Sequence, residues 1–155
     1  MELILRNSVL VIILIIITIT DIKRREIDHE PLLAGLIFII PFTLLGYNQV
    51  TFYESLIGGV VGFLFFLLLG FFGMGGGDIK LMGVVGLFFG WRQTIILMYG
   101  AFLIGSLAGV VYMAVKKEGM KSFIPFGPAI SIAALITMFY GETMIQSTDV
   151  LWFLQ

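Results

Sequence analysis

The chain has no cysteine and a single histidine, His29. A disulfide framework, a thiol nucleophile, a cysteine-ligated metal and an iron–sulfur cluster are therefore excluded, as are multi-histidine metal sites. With no cysteine to read, the redox compartment is not assigned. Charge is scarce as well. Nine Lys+Arg and ten Asp+Glu make up 12% of the 155 residues, against about 25% in a soluble domain. A small domain has much surface to cover, and these side chains cannot cover it. An ordinary water-soluble globule, a disordered chain and a nucleic-acid binder are excluded on that ground. The net charge of −1 points to no partner. What the chain has is apolar residues: 59% of the total, with a mean hydropathy of +1.09. Lipid is the solvent for most of this chain.

A membrane-spanning helix needs about 20 apolar residues. Hydropathy predicts spans over residues 3–20, 31–46, 54–73, 79–91, 94–115 and 129–141. The first is rich in Ile and Val with no small-residue cleavage site after it, and reads as a retained helix rather than a signal peptide. Pro31 suits the first turn of the second, and Pro41 is a candidate kink. The fourth is short for a full span, so it is expected to be partly unwound or screened by neighbours. Residues 47–53 read as a polar loop with interfacial aromatics, and the tail from Glu142 to Gln155 as a mixed segment with an interfacial end at Trp152 and Phe153. The expected fold is all-α: one polytopic membrane domain over residues 1–155, a bundle of about six transmembrane helices with a short or broken fourth.

Placing the loop from Asp21 to Glu30 inside puts Lys23, Arg24, Arg25, Lys80, Lys116, Lys117 and Lys121 on the cytoplasmic side and only Arg6 and Arg92 outside. The positive-inside rule favours that topology, with both termini extracytoplasmic. Small residues recur at helical spacing: Gly58 and Gly62, then Gly83, Gly86 and Gly90, then Ala101, Gly105 and Gly109. These faces let membrane helices approach closely, and helix packing accounts for them.

Ionisable residues at membrane depth point to function by default. Asp21 closes the first span, and Asp78 follows Gly75, Gly76 and Gly77. Each has a plain structural explanation: Asp78 as a helix N-cap, Asp21 as an interfacial acid neutralised by Lys23, Arg24 or Arg25. The glycine run exceeds what capping needs and suits an extended segment or a close backbone approach beside the acid. As a pair, the two carboxylates cannot both ionise freely and hold one proton between them. One can then take a proton from water while the other polarises a peptide carbonyl, which is aspartyl protease chemistry. Other hydrolase sites fare poorly. His29-Glu30 opens like a zinc-protease helix, but Leu33 stands where the second histidine belongs. Ser106 lacks the glycine two residues on, and the one histidine lies in another loop.

Gly75-Gly76-Gly77-Asp78 resembles the Gly-x-Gly-Asp signature of intramembrane aspartyl proteases. The wider string Gly76-Gly77-Asp78-Ile79-Lys80-Leu81-Met82 resembles the type IV prepilin peptidase family. So do Asp21-Ile22-Lys23-Arg24-Arg25-Glu26-Ile27 and Ile124-Pro125-Phe126-Gly127-Pro128-Ala129. The three segments stand in family order over nearly the whole chain. Asp28 departs from the family's usual Pro. Presenilin-type proteases are less similar: Thr20 precedes Asp21 where they have Tyr, and Ile130 follows Pro128-Ala129 where they have Leu. Many bacterial members also carry a Cys-rich N-terminal region linked to N-methylation. This chain begins at the first peptidase helix without cysteine, so the resemblance implies peptidase activity and does not extend to methyl transfer.

The resemblance implies catalytic Asp21 and Asp78, no cofactor, and a prepilin-like, preflagellin or pseudopilin substrate. Such a substrate has a short basic leader, a glycine before the scissile bond and an apolar helix. Gly75, Gly76, Gly77 and Lys80 would form the loop that the substrate approaches, with Lys80 either steadying an anion or marking the membrane boundary. Glu26, Asp28 and Glu30 are placed to attract the basic leader, unless they form only a solvated loop balanced by its cations. His29 reads as an interfacial polar residue. Pro125, Gly127 and Pro128 would shape the entry to the last helix. A small transporter or a pilus-assembly scaffold with an intramembrane Asp pair is the rival reading.

Overall fold

The computed structural model describes every residue except 25, 72, 117–125 and 153–155. Arg25, Lys117, Lys121 and Pro125 thus lie outside the described residues. The described residues form five helices: α1 (Glu2–Arg24), α2 (His29–Leu44), α3 (Phe52–Gly70), α4 (Gly76–Lys116) and α5 (Gly127–Trp152). Among the described residues there is no strand. In lipid every backbone N–H and C=O needs an internal partner, and a helix supplies it. That requirement overrides the modest helix propensity of the Ile- and Val-rich first segment.

Among the described residues, four helical stretches are long and apolar enough to cross a membrane: Glu2–Arg24, Phe52–Gly70, Gly76–Tyr112 and Gly127–Gln146. Helix α2 is apolar but shorter, with Pro41 inside it. Two expectations change. Residues 47–53 are not all loop, because Thr51 and Glu54 form a capping box that starts α3 at Phe52. The Thr51 hydroxyl accepts from the Glu54 N–H at 3.3 Å, and the Thr51 N–H donates to Glu54 Oε2 at 3.0 Å. The last helix also outruns the span predicted over 129–141, since α5 carries on through the mixed tail to Trp152.

The predicted fourth and fifth segments are two arms of α4. They meet at Gly90, whose φ of 73° and ψ of 171° are non-helical. Only glycine takes this conformation without strain. A straight helix would put Met82 and Phe102 about 30 Å apart. Yet α3 touches both at one level. A Cβ on Gly62 would lie 2.9 Å from the Met82 carbonyl oxygen, and one turn on, the Phe66 and Phe102 rings lie 5.8 Å apart. The chain therefore folds back at Gly90. The Thr94 hydroxyl holds the bend by donating to the Gly90 carbonyl at 2.7 Å.

The first arm of α4 is the centre of the bundle. Leu81, Met82, Val85, Phe88 and Phe89 are fully buried on it, among Leu10, Leu14 and Ile17 of α1, Ile39 of α2 and Phe66 of α3. A helix apolar on every side and surrounded by protein need not match the bilayer thickness, which explains how a short segment serves there. The helices crowd together through glycine. A Cβ at Gly58 would lie 2.5 Å from both the Gly86 carbonyl oxygen and the Gly90 carbonyl carbon, and one at Gly86 would strike the Gly58 carbonyl. Large apolar side chains such as Ile4, Ile37, Leu68 and Leu103 point outward, as suits a lipid-facing surface.

This crossing allows no side chain. Gly86→Val is expected to destabilise the detergent-solubilised protein by at least the ~1–3 kcal/mol typical of overpacking, read as a lowered thermal midpoint. Gly76→Ala, where a Cβ meets nothing within 4 Å, should leave that midpoint in place.

Candidate active site

The last turn of α1 carries Asp21, and the first turn of α4 carries Asp78. Both are buried, at 3% and 5% exposure, and both line one pocket of about 440 Å³. They lie within electrostatic range of each other. Arg6, near the other end of α1, is about 22 Å further along the helix axis, so the acids share one end of the bundle. Glycines 75–77 and residues 26–29 of the α1–α2 connection complete the pocket wall.

The two carboxylates are held differently. Asp21 Oδ2 accepts a hydrogen bond from the Gly127 backbone N–H at 2.9 Å. Gly127 is the first residue of α5, where N–H groups have no partner within the helix. Pro128 follows in the same turn, where a missing N–H is harmless. A Cβ on Gly127 would lie 2.6 Å from Asp21 Oδ2, so close an approach requires glycine. Asp78 is not the N-cap of α4 but a residue of its first turn, and its Oδ1 has no hydrogen-bond partner among the described residues. An unpartnered buried carboxylate oxygen is costly, and here it belongs to a residue that lines the pocket.

The glycine run divides its work. A Cβ on Gly77 would lie 2.7 Å from the Ile27 Cβ, so its bareness lets the α1–α2 connection pack against the start of α4. A Cβ on Gly76 would meet nothing within 4 Å. Of the two uses expected of the glycine run, Gly77 serves the close backbone approach, and Gly76 and Gly77 open the helix itself.

Phe126 positions the Gly127 N–H. Its ring lies 6.2 Å from Phe66 and 5.9 Å from Phe102. It also covers Gly105 so closely that a Cβ there would overlap the ring. The spacing of Ala101, Gly105 and Gly109 signalled close packing, but not that an aromatic anchor for the active site sits on it. The Asp21–Gly127 hydrogen bond spans 106 positions and leaves no local signal in sequence.

The other candidate residues are distributed unevenly. Glu26 and Asp28 line the pocket and Glu30 does not. Asp28 also pairs with Arg24 at 3.8 Å, an exposed contact of little energetic weight. Lys80 does not line the pocket of the acids: its Nζ lies 3.5 Å from His29 Nε2, beside a second, apolar pocket. Pro125 lies outside the described residues. Among the described residues, no three His, Asp or Glu side chains come together as a metal-ligand set.

Known proteins with related sequences are found. Two curated relatives are each described as a prepilin leader peptidase/N-methyltransferase. The one from Legionella pneumophila is 34% identical over 60 residues, covering 39% of this chain and 21% of the relative. The one from Pseudomonas putida is 29% identical over 62 residues, covering 40% and 22%. The matches thus span about a fifth of the length of these relatives. No solved structure gives a significant match. The family model described as the type IV leader peptidase family matches residues 8–114, a stretch that contains both buried aspartates. The chain belongs to the type IV leader peptidase family.

Proposed function

We propose that this chain is an intramembrane aspartic endopeptidase, a single domain that removes the short basic leader from type IV prepilin-like, preflagellin or pseudopilin substrates at the cytoplasmic membrane face. The observation that carries this reading is the meeting of Asp21 and Asp78 in one pocket, within a chain of the leader peptidase family.

Two adjacent buried carboxylates hold one proton between them. The ionised member takes a proton from a water molecule, whose oxygen attacks the scissile carbonyl carbon. The protonated member donates a hydrogen bond to the carbonyl oxygen as it gains negative charge. The tetrahedral intermediate collapses when the leaving nitrogen is protonated from the pair, and the peptide bond breaks. The Gly127 N–H fixes Asp21 Oδ2 and so orients the carboxylate toward the pocket. The free Oδ1 of Asp78 suits a group whose partner is the reacting water or carbonyl. Glu26 and Asp28 add negative charge to the pocket wall, which complements a basic leader.

Two variants test the dyad. Asp21→Asn and Asp78→Asn, in lipid or detergent, are each expected to reduce leader cleavage on a gel-shift assay by at least ~10²-fold, and up to ~10⁴-fold. A scaffold would tolerate either change, and cleavage persisting in either variant would break the mechanism. Gly127→Ala should lower kcat by about 10²-fold, because a carboxylate displaced by about 1 Å loses its attack geometry, while the thermal midpoint falls far less than for Gly86→Val.

For the topology, both termini lie outside and the acidic pocket inside. The chain has no native cysteine, so single-cysteine reporters are unambiguous. In intact cells Glu26→Cys should resist a membrane-impermeant maleimide and react only after permeabilisation, whereas Gln49→Cys, at the opposite end, should react at once. The reverse pattern would invert the orientation.

A further inference from the structure

A furrow of about 630 Å³ runs beside the acidic pocket. It is bounded by His29 to Leu36 on α2, Leu56 to Leu64 on α3 and Lys80 to Leu87 on α4. Each helix contributes positions three, four and seven residues apart, which form one stripe. The furrow therefore follows the helix axes for about 10 Å. The contacts align the stripes: Gly35 of α2 faces Val84 and Phe88 of α4, while α3 runs antiparallel, with Gly58 at Gly86 and Gly62 at Met82. Its floor is the crossing of Gly59 and Gly83, where a Cβ on Gly59 would lie 3.1 Å from the Gly83 carbonyl oxygen. Leu87 and Phe63 cover these glycines, since a Cβ on Gly59 would lie 2.7 Å from Leu87 Cδ2 and one on Gly83 3.2 Å from Phe63 Cβ, so an occupant of the furrow meets apolar side chains.

The furrow is apolar except at one end, where Lys80 and His29 meet. His29 also lines the acidic pocket, so the furrow and the acidic pocket adjoin there. We propose that this furrow seats the apolar helix of the substrate, and that His29 marks the point where the polypeptide leaves the furrow to cross Asp21 and Asp78. The inference rests on the reading of the chain as a leader peptidase. Continuity through His29 calls for an occupant that continues into the acidic pocket, which a polypeptide does. An anionic lipid fits less well: its phosphate at Lys80 would stand beside a chamber lined by Asp21, Glu26, Asp28 and Asp78.

Leu33 and Val60 line the furrow with their side chains largely exposed, and Leu103 is exposed on the other arm of α4. The experiment compares Leu33→Trp and Val60→Trp with Leu103→Trp on two substrates: a full prepilin and a peptide that keeps the scissile bond and a few residues after it but lacks the rest of the apolar helix. The furrow variants should raise KM for the full substrate by about tenfold, with kcat/KM for the truncated peptide unchanged. Leu103→Trp should alter neither. A photoreactive residue at position 60 should crosslink to the apolar segment of the substrate. Equal losses on both substrates, no loss on either, or crosslinks to lipid alone would overturn the assignment. Failure of the wild-type protein to cleave either substrate, or full activity of Asp21→Asn, would instead overturn the peptidase reading and the furrow with it.

Discussion

The bundle depends on one backbone approach: α3 against the first arm of α4 at Gly58, Gly86 and Gly90. Lipid offers helices no hydrophobic reason to associate, so close van der Waals contact has to supply it. Bare backbones at this crossing bring Ser55 near enough to donate its hydroxyl hydrogen to the Leu87 carbonyl. The same crossing buries the first arm and holds Asp78 at its mouth. It also makes the bend at Gly90 possible, and the bend returns the second arm to α3 and carries Phe102 to Phe66. The depth of the site within the bundle follows from that contact.

From there the site is assembled by relay. Phe102 and Phe66 receive the Phe126 ring, and that ring sets the start of α5. The first residue of α5 presents its N–H to Asp21. A chain of apolar contacts thus ends in a single polar bond to a carboxylate. Aromatic packing is insensitive to salt and to exposed charge, which makes it a stable footing for a buried carboxylate.

Much of this was legible in the sequence, and the misses share a cause. Hydropathy marks the apolar segments because lipid enforces it residue by residue. Asp21 and Asp78 stand out because carboxylates are rare in such segments. The Gly58, Gly62, Gly86 and Gly90 spacing marked a packing face correctly. What escaped depends on the tertiary arrangement. The bond from Gly127 to Asp21 joins distant positions, Lys80 meets His29 from 51 positions away, and α5 runs on past Glu142 although its composition turns mixed. The capping box at Thr51 and Glu54 was visible in principle, but its interfacial aromatics resemble those of a loop.

Helix α1 is tied at both ends. Arg6 is buried near its start and donates to Asn48 Oδ1 at 2.8 Å, and Asn48 is itself braced by Thr43. Asp21 is tied near the other end by Gly127. The two ties lie on one rigid rod, which fixes the helical phase between them. One residue inserted between positions 6 and 21 would rotate Asp21 by about 100° relative to Arg6, and both ties could no longer hold. A seven-residue insertion would nearly restore the angle but add about 10 Å of length. Between these residues, α1 therefore tolerates substitution on its lipid face far better than any change in its length.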